Sequence, residues 1–378
     1  MKLLVTARDV GATVNIIEIV KEALLDKEIE LYIYAQNPAP EYFYNAGINM
    51  VNEIKFLPVT DSKQKEANDL LSFSKHLIDE LKPDAVLSGL SSPRDAGIDE
   101  AIIAVCSNKI KTFVMQDFWG EVNTFFGKLA DYYLCLDTEA ARLTKENYNT
   151  GTVIIGSPRH APYSDLSLPL LKEQLRNKIK VTAEQKIVGL FGQSLHFLPG
   201  YYDTIKDMLS SIRKNASDTI ILYRKHPRET KEEAKKIIDL IMNAGLDLRI
   251  LDENRVEYSL LICDLVCSIF SNCIYDSCYL NYFSDSPLIV PALLSYNSDI
   301  IEYAKKFNVY NSSPYQKQKL AFICESKNSM DQNLNYLLSS KCREEYWHRI
   351  KLALENPCHS AKKAVSAIKE ITLKDMKC

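Results

Sequence analysis

Arginine, lysine and histidine stand side by side in the run Tyr223-Arg224-Lys225-His226-Pro227-Arg228-Glu229. Guanidinium, ammonium and imidazole groups donate to phosphate oxygens, and the first backbone N–H groups of a following helix add to them. Pro227 biases His226 toward extended backbone, which sets the direction of its ring. Further along, Ser268-Ile269-Phe270-Ser271-Asn272 offers hydroxyls and a helix start suited to the same kind of anion. Capping that helix is the other role open to Ser271 and Asn272. Earlier, Gly192-Gln193-Ser194 has small residues that let a ligand approach the backbone, although an ordinary turn would look the same. It is not a G-x-G-x-x-G fingerprint. The candidate phosphate and nucleotide residues are therefore Gly192, Gln193, Ser194, Arg224, Lys225, His226, Pro227, Arg228, Ser268, Ser271 and Asn272. His196, just after the glycine turn, is a weaker candidate.

The first half of the chain supplies carboxylates. Asp9, in Ala7-Arg8-Asp9-Val10-Gly11, can act as a general base or cap the helix that follows. Asp117 and Glu121, in Asp117-Phe118-Trp119-Gly120-Glu121, are its rivals as base. Gly11 permits close approach to the first loop, and Ser91, Ser92 and Arg94 suit hydroxyls or an anionic group on a second substrate. Trp119 either stacks on a ring or packs in the core. The cysteine, histidine and acidic spacings contain no metal-ligand pattern, so neither a metal nor another cofactor is expected.

These residues need strand ends to hold them. Short apolar runs at 2–6, 31–34, 85–88, 112–115, 132–136 and 153–155 alternate with helical periodicity, the signature of βαβ units and a mostly parallel sheet. The order restarts with strands at 186–191, 219–223, 248–251, 265–269 and 288–290, the last ending at Pro291. The expected fold is α/β, with two Rossmann-like domains and a cleft between them. Residues 1–158 form the first domain, 159–185 a proline-containing linker, 186–340 the second domain and 341–378 a charged helical segment. Ligands of such sheets bind beyond the carboxyl ends of the strands, where every candidate above falls.

The order of glycine-glutamine turn, His226-Pro227 and Ser271 at the next strand-to-helix junction resembles the donor domain of GT-B glycosyltransferases. It is most similar to their inverting, metal-independent branch, which includes bacterial sialyltransferases, Kdo transferases and capsule polymerases. That resemblance implies transfer of a sugar from a nucleotide-activated donor, such as a CMP-activated 2-keto sugar acid, to a surface glycan. The second domain would bind the donor, and the first would bind the glycan or lipid-linked acceptor. In that branch a Ser-Ser or Ser-Thr pair completes the phosphate site; here Asn272 replaces the second hydroxyl. Two alternatives share the architecture. A nucleotide-sugar 2-epimerase usually carries Gly-Thr-Arg-Pro-Glu in its first loop, which Ala7-Arg8-Asp9-Val10-Gly11 does not match. A nucleotide-sugar binding protein without catalysis is the other.

Composition bounds the remaining classes. The 378 residues carry a net charge of -3, which argues against general nucleic-acid binding. Ten scattered cysteines without a C-x-x-C pair suit a reducing, cytoplasmic setting. No run is long and apolar enough to span a membrane. A lipid-linked acceptor would bring the protein to a membrane's inner face.

Overall fold

The computed structural model describes residues 1–60, 64–91, 95–251, 253, 255–307 and 314–375. The chain separates into two units. The first holds Met1–Pro162 and the C-terminal stretch from Glu355, and the second holds Tyr163–Phe307 and the stretch ending at Leu354.

In the first unit a seven-stranded sheet runs in the order β3-β2-β1-β4-β5-β6-β7. Its strands are β1 (Lys2–Ala7), β2 (Glu30–Gln36), β3 (Val51–Ile54), β4 (Ala85–Ser88), β5 (Lys111–Met115), β6 (Tyr132–Cys135) and β7 (Gly151–Ile154). In the second unit six strands run in the order β10-β9-β8-β11-β12-β13. They are β8 (Ile187–Phe191), β9 (Ile220–Arg224), β10 (Asp247–Arg249), β11 (Leu265–Ser268), β12 (Val290–Leu294) and β13 (Phe322–Cys324). All the paired strands are parallel. Such sheets are covered on both faces, which is why the central strands read as unbroken apolar runs. Ala85–Ser88, Ile187–Phe191 and Leu265–Ser268 are buried throughout, whereas the edge strand Gly151–Ile154 is not.

Strand order reverses at the β1/β4 pair in one sheet and at β8/β11 in the other. Flanking helices lie on opposite faces on either side of such a reversal, which opens a crevice at the strand ends. The loops after these four strands hold most of the candidates.

Three sequence expectations shift. Pro291 does not end a strand but lies inside β12. It is opposed only by Val266 on β11, because β13 begins its pairing one residue later, at Ala292, so its missing N–H breaks no ladder on that side. The stretch 159–185 contains the helix Leu168–Lys178, which is part of the second unit. Residues 341–378 divide: Ser340–Ala353 belongs to the second unit, and Ser360–Asp375 returns to pack on Val10–Ala23 in the first. There Lys369 donates to Asp26 at 2.6 Å and to Glu28 at 2.8 Å.

Asp264 bolts the assimilated helices to the second sheet. Its Oδ2 accepts the Ile187 N–H at 2.9 Å and lies 3.5 Å from Arg176, and its Oδ1 lies 3.3 Å from Arg343. Half-buried Lys172 donates nearby to the carbonyls of Cys263 (3.1 Å) and Leu288 (3.0 Å). Burial lowers its pKa to about 8, against the pull of Asp264. Removing one partner of a buried ion pair costs about 3–5 kcal/mol, because the other charge stays buried. Asp264→Ala should therefore destabilise the protein by about that much in denaturant unfolding; a loss under about 1 kcal/mol would show that the cluster is not a structural bolt.

Candidate functional site

The strand ends of the first unit gather acids around one buried guanidinium. Arg8, 3% exposed, follows β1. Its Nε donates to Ser91 Oγ at 3.0 Å, and its Nη2 pairs with Asp95 and lies 3.3 Å from Asp9. Burial works against its charge, yet Asp9, Asp95 and Glu100 outweigh that and raise its pKa. Behind it, Asp99 and Glu100 open the helix Ile98–Val105. Asp99 Oδ1 accepts from Thr6 Oγ1 at 2.8 Å and from the Gly89 N–H at 3.2 Å, tying the ends of β1 and β4 together. Its Oδ2 is buried with no hydrogen-bond partner among the described residues. Glu100 accepts from the N–H groups of Ser91 (2.8 Å) and Gly97 (2.9 Å).

Burial raises the pKa of both acids, and the Asp99 charge raises that of Glu100 further. A neutral Glu100 relieves the like-charge contact.

Asp117, after β5, reaches the same place. A Cβ on Gly11 would overlap its Oδ2, so the glycine is what lets this carboxylate lie against the first turn of Val10–Ala23. Asp9 precedes that helix but makes no side-chain cap bond to it; its carboxylate faces Arg8 instead. The structure thus joins three sequence candidates, Asp9, Gly11 and Asp117, and places Ser91 beside them. Glu121 goes elsewhere: it lies close enough to Tyr148 to add to the pKa rise that burial causes there. Trp119 is core, not a stacking surface. It is 1% exposed, and its indole N–H donates to Asp137 at 2.7 Å. Ser92 and Arg94 lie outside the described residues.

In the second unit the organising group is an acid. Glu229 is buried at the ends of β8 and β9. It accepts from the His226 N–H, from Tyr223 OH at 3.2 Å and from His196 Nε2 at 2.6 Å. Burial raises its pKa, while the His226 N–H and His196 pull it back. His196 Nδ1 shares a 2.8 Å hydrogen bond with Tyr202 OH. Gly192 is small for Glu229's sake: a Cβ there would overlap the carboxylate, so a side chain of the protein, rather than a ligand, closes on this glycine.

His226 Nδ1 accepts the Arg228 N–H at 3.1 Å, which leaves the proton of a neutral ring on Nε2. That nitrogen can donate to an anion. Lys225, Pro227 and Arg228 are exposed around it. Arg224 is drawn off to brace the chain, donating to the Glu253 carbonyl at 2.8 Å and to Ser259 Oγ at 2.9 Å. Ser268 is likewise structural: it is 1% exposed and its hydroxyl donates to the Phe191 carbonyl at 3.0 Å. Gln193 ties loops together, its Oε1 accepting the Phe270 N–H at 3.0 Å and its N–H donating to Tyr201 OH at 2.9 Å. Ser271 Oγ accepts the Cys273 N–H at 3.2 Å, as a cap does. Asn272 begins the helix Cys273–Phe283 without a side-chain cap bond, and Ser194 is half-buried.

Arg8, Asp95, Asp99, Glu100 and Glu229 are not among the sequence candidates, and His196, a weaker one, proves to be a partner of Glu229. The pair Asp99-Glu100 directly after Gly97-Ile98 carried a signal, since adjacent acids in the first turn of a buried helix must share a desolvated space. Glu229 stands three residues beyond His226, but nothing in that spacing says it turns inward. Among the described residues no group of three or more His, Cys, Asp or Glu is placed to hold a metal ion, and no helix is long and apolar enough to cross a membrane.

No family model matches the sequence, and no curated protein matches it. Solved structures match it over nearly its whole length. UDP-GlcNAc 2-epimerase from Neisseria meningitidis, bound to UDP-GlcNAc, has a TM-score of 0.70 at 12% identity, covering 98% of this chain and 100% of that one. Staphylococcus aureus MnaA with UDP has a TM-score of 0.69 at 13% identity, over 98% and 96% of the two chains. The fold is GT-B. A glycosyltransferase from Rickettsia africae shares it, with a TM-score of 0.63 at 14% identity over 98% of each chain. At such identities the likeness is one of fold.

The acid pair makes stability depend on pH. Glu100 has a folded-state pKa raised from 4.5 to about 8. A raised carboxyl binds its proton more tightly in the folded state, so its contribution falls as pH rises through that window. The melting temperature should decline from about pH 5 to about pH 8, and Glu100→Gln should flatten that decline. A variant with the same slope as the wild type would assign the pH dependence to other groups.

Proposed function

We propose that this chain is an enzyme acting on a UDP-sugar by proton transfer at a sugar carbon, in the manner of a nucleotide-sugar 2-epimerase. The observation that carries the reading is the set of carboxylates at the β1, β4 and β5 ends: Asp9 and Asp95 beside Arg8, Asp117 against Gly11, and Asp99 and Glu100 buried at the start of the helix Ile98–Val105. Inverting a carbon centre needs a base to take the proton from one face and an acid to return one to the other. Raised carboxyl pKa values supply an acid that is still protonated near neutral pH. Asp117 is the base in this reading, held against the first turn of Val10–Ala23 in the space that Gly11 leaves. The Neisseria epimerase structure with UDP-GlcNAc and the MnaA structure with UDP share the fold over 100% and 96% of their chains, which supports the substrate class.

Proton loss at C2 is balanced by cleavage of the C1–O bond to UDP, and re-addition of UDP at C1 with protonation of C2 on the other face completes the inversion; charge on the departing diphosphate would be met by His226 Nε2, by Ser271 and by the N-terminal amides of Cys273–Phe283, without a metal. Arg224 and Ser268 are withdrawn from that role.

A second reading, sugar transfer to a glycan acceptor, is favoured by the His226-Pro227 turn and by the Rickettsia structure. It needs one base, Asp9 or Asp117, and an acceptor hydroxyl. Its donor would be a UDP-sugar or the CMP-sugar of the His-Pro branch. A lipid-linked acceptor, and with it a membrane surface, belongs to this reading alone.

Incubation with UDP-GlcNAc in deuterium oxide, with no acceptor, separates the two. Epimerisation predicts deuterium at C2 and interconversion of the C2 epimers, with Asp117→Asn reducing the rate about 10²–10⁴-fold. Turnover only when a glycan acceptor is added would move the function to the transferase. UDP binding with no turnover under either condition would leave a binding protein.

A further inference from the structure

Phe197, Phe270 and Tyr303 come from three separate stretches and meet beyond the strand ends of the second unit. Phe197 precedes the helix Pro199–Asn215, Phe270 follows β11, and Tyr303 stands in the helix Ser298–Phe307, which follows β12. The Phe197 and Tyr303 rings lie 5.3 Å apart at 63°, and those of Phe270 and Tyr303 6.3 Å apart at 17°. Phe197 is 55% exposed and the other two are half-buried. Water-facing aromatic surface of this kind, collected at strand ends, marks a place where something apolar is covered.

The cluster is built, not incidental. Gln193 Oε1 accepts the Phe270 N–H at 3.0 Å, and Ser295 Oγ donates to the Ile269 carbonyl at 2.7 Å, so the β8, β11 and β12 loops are joined around Phe270. Asp299 Oδ2 accepts the Gly200 N–H at 2.7 Å, one helical turn before Tyr303 and three residues after Phe197. A Cβ on Gly200 would overlap Asp299, so the glycine is needed for the two helix starts to come together and set Phe197 against Tyr303. Asn297 Nδ2 donates to the Gly200 carbonyl at 3.3 Å. The polar groups beside the rings are therefore engaged in holding the loops. The rings offer contact to C–H surface and not hydrogen-bond reading of a base edge.

Strand order adds direction. The cluster lies on the β11/β12 side of β8, whereas His226 follows β9 on the other side. A phosphate bound between His226 and Ser271 would leave the aromatic side for what the phosphate carries.

We propose that Phe197, Phe270 and Tyr303 form a platform that seats the apolar C–H face of the sugar ring of a nucleotide sugar, and so sets which sugars the enzyme accepts. Gln193 and Asp299 are the positioning residues of this platform. The substrate named here rests on the nucleotide-sugar reading above; the ring-stacking chemistry does not.

The test titrates the full chain and its Phe197→Ala and Tyr303→Ala variants with UDP and with UDP-GlcNAc by calorimetry. Losing one stacked ring should weaken UDP-GlcNAc about tenfold, ~1.4 kcal/mol, while UDP alone changes less than about twofold. Unchanged binding of both ligands, or equal weakening of both, would overturn the proposal, the latter assigning the rings to the uracil. Phe197 is exposed enough that its variant should melt with the wild type, so it carries the test if Tyr303→Ala does not fold. If the wild type binds neither nucleotide, the nucleotide-sugar reading fails, and the platform is then judged with methyl N-acetylglucosaminide by saturation-transfer NMR. Saturation of its ring C–H protons by the wild type, lost in Phe197→Ala, supports the platform; no transfer from the wild type overturns it.

Discussion

Arg8 is a charge taken almost wholly out of water, and such a charge persists only when it is paired. In the first unit, Asp9 and Asp95 lie against its guanidinium, Ser91 accepts its Nε–H, and the field of Glu100 adds to theirs. Those partners come from the loops after β1 and β4 and from the helix beyond. Satisfying one buried cation thereby sets the course of the loops at the point where strand order reverses. The glycines follow from that demand. A side chain at Gly97 would strike Arg8 and Gln36, and one at Gly11 would strike Asp117. Burial raises the pKa values of Asp99 and Glu100, and the surplus of acids over the cation adds to the rise. A surplus of this sort is costly to a fold.

The second unit solves the same topological problem with the signs exchanged. There a buried carboxylate, Glu229, collects a backbone N–H, a phenol and an imidazole from the β8 and β9 ends. Its neighbour across the strand reversal, the β11 loop, is held by the neutral amide of Gln193. Polar groups thus rigidify the strand ends, while Phe197 is exposed and Phe270, Tyr303 and His226 are half-buried.

Some of this was legible from residue types alone. Asp9, Gly11 and Asp117 are far apart along the chain, yet each sits after an apolar run, and strand ends of one parallel sheet lie side by side. Other inferences failed for a common reason. Arg224, Ser268 and Trp119 have the right chemistry for ligands, but each has found a partner within the protein: the Glu253 carbonyl, the Phe191 carbonyl and Asp137. A motif states which groups are present, and not which of them are already satisfied. The glycine at 192 misled in the same way, since small size admits a carboxylate as readily as a substrate.

Period and punctuation in the sequence determined that the chain would build two parallel α/β sheets, because buried strands must be apolar along their length and glycine, proline and capping residues must fall between elements. They also placed the candidate residues at strand ends. Only the tertiary structure decided that the helix Leu168–Lys178 joins the second unit, since Lys172 and Arg176 find their carbonyl and carboxylate partners there. It alone decided that Ser360–Asp375 returns to the first unit, where Lys369 meets Asp26 and Glu28. Burial is likewise a property of the assembled fold. The acids Asp99, Glu100 and Glu229 become unusual only in the fold, because packing removes the water that favours their charged forms.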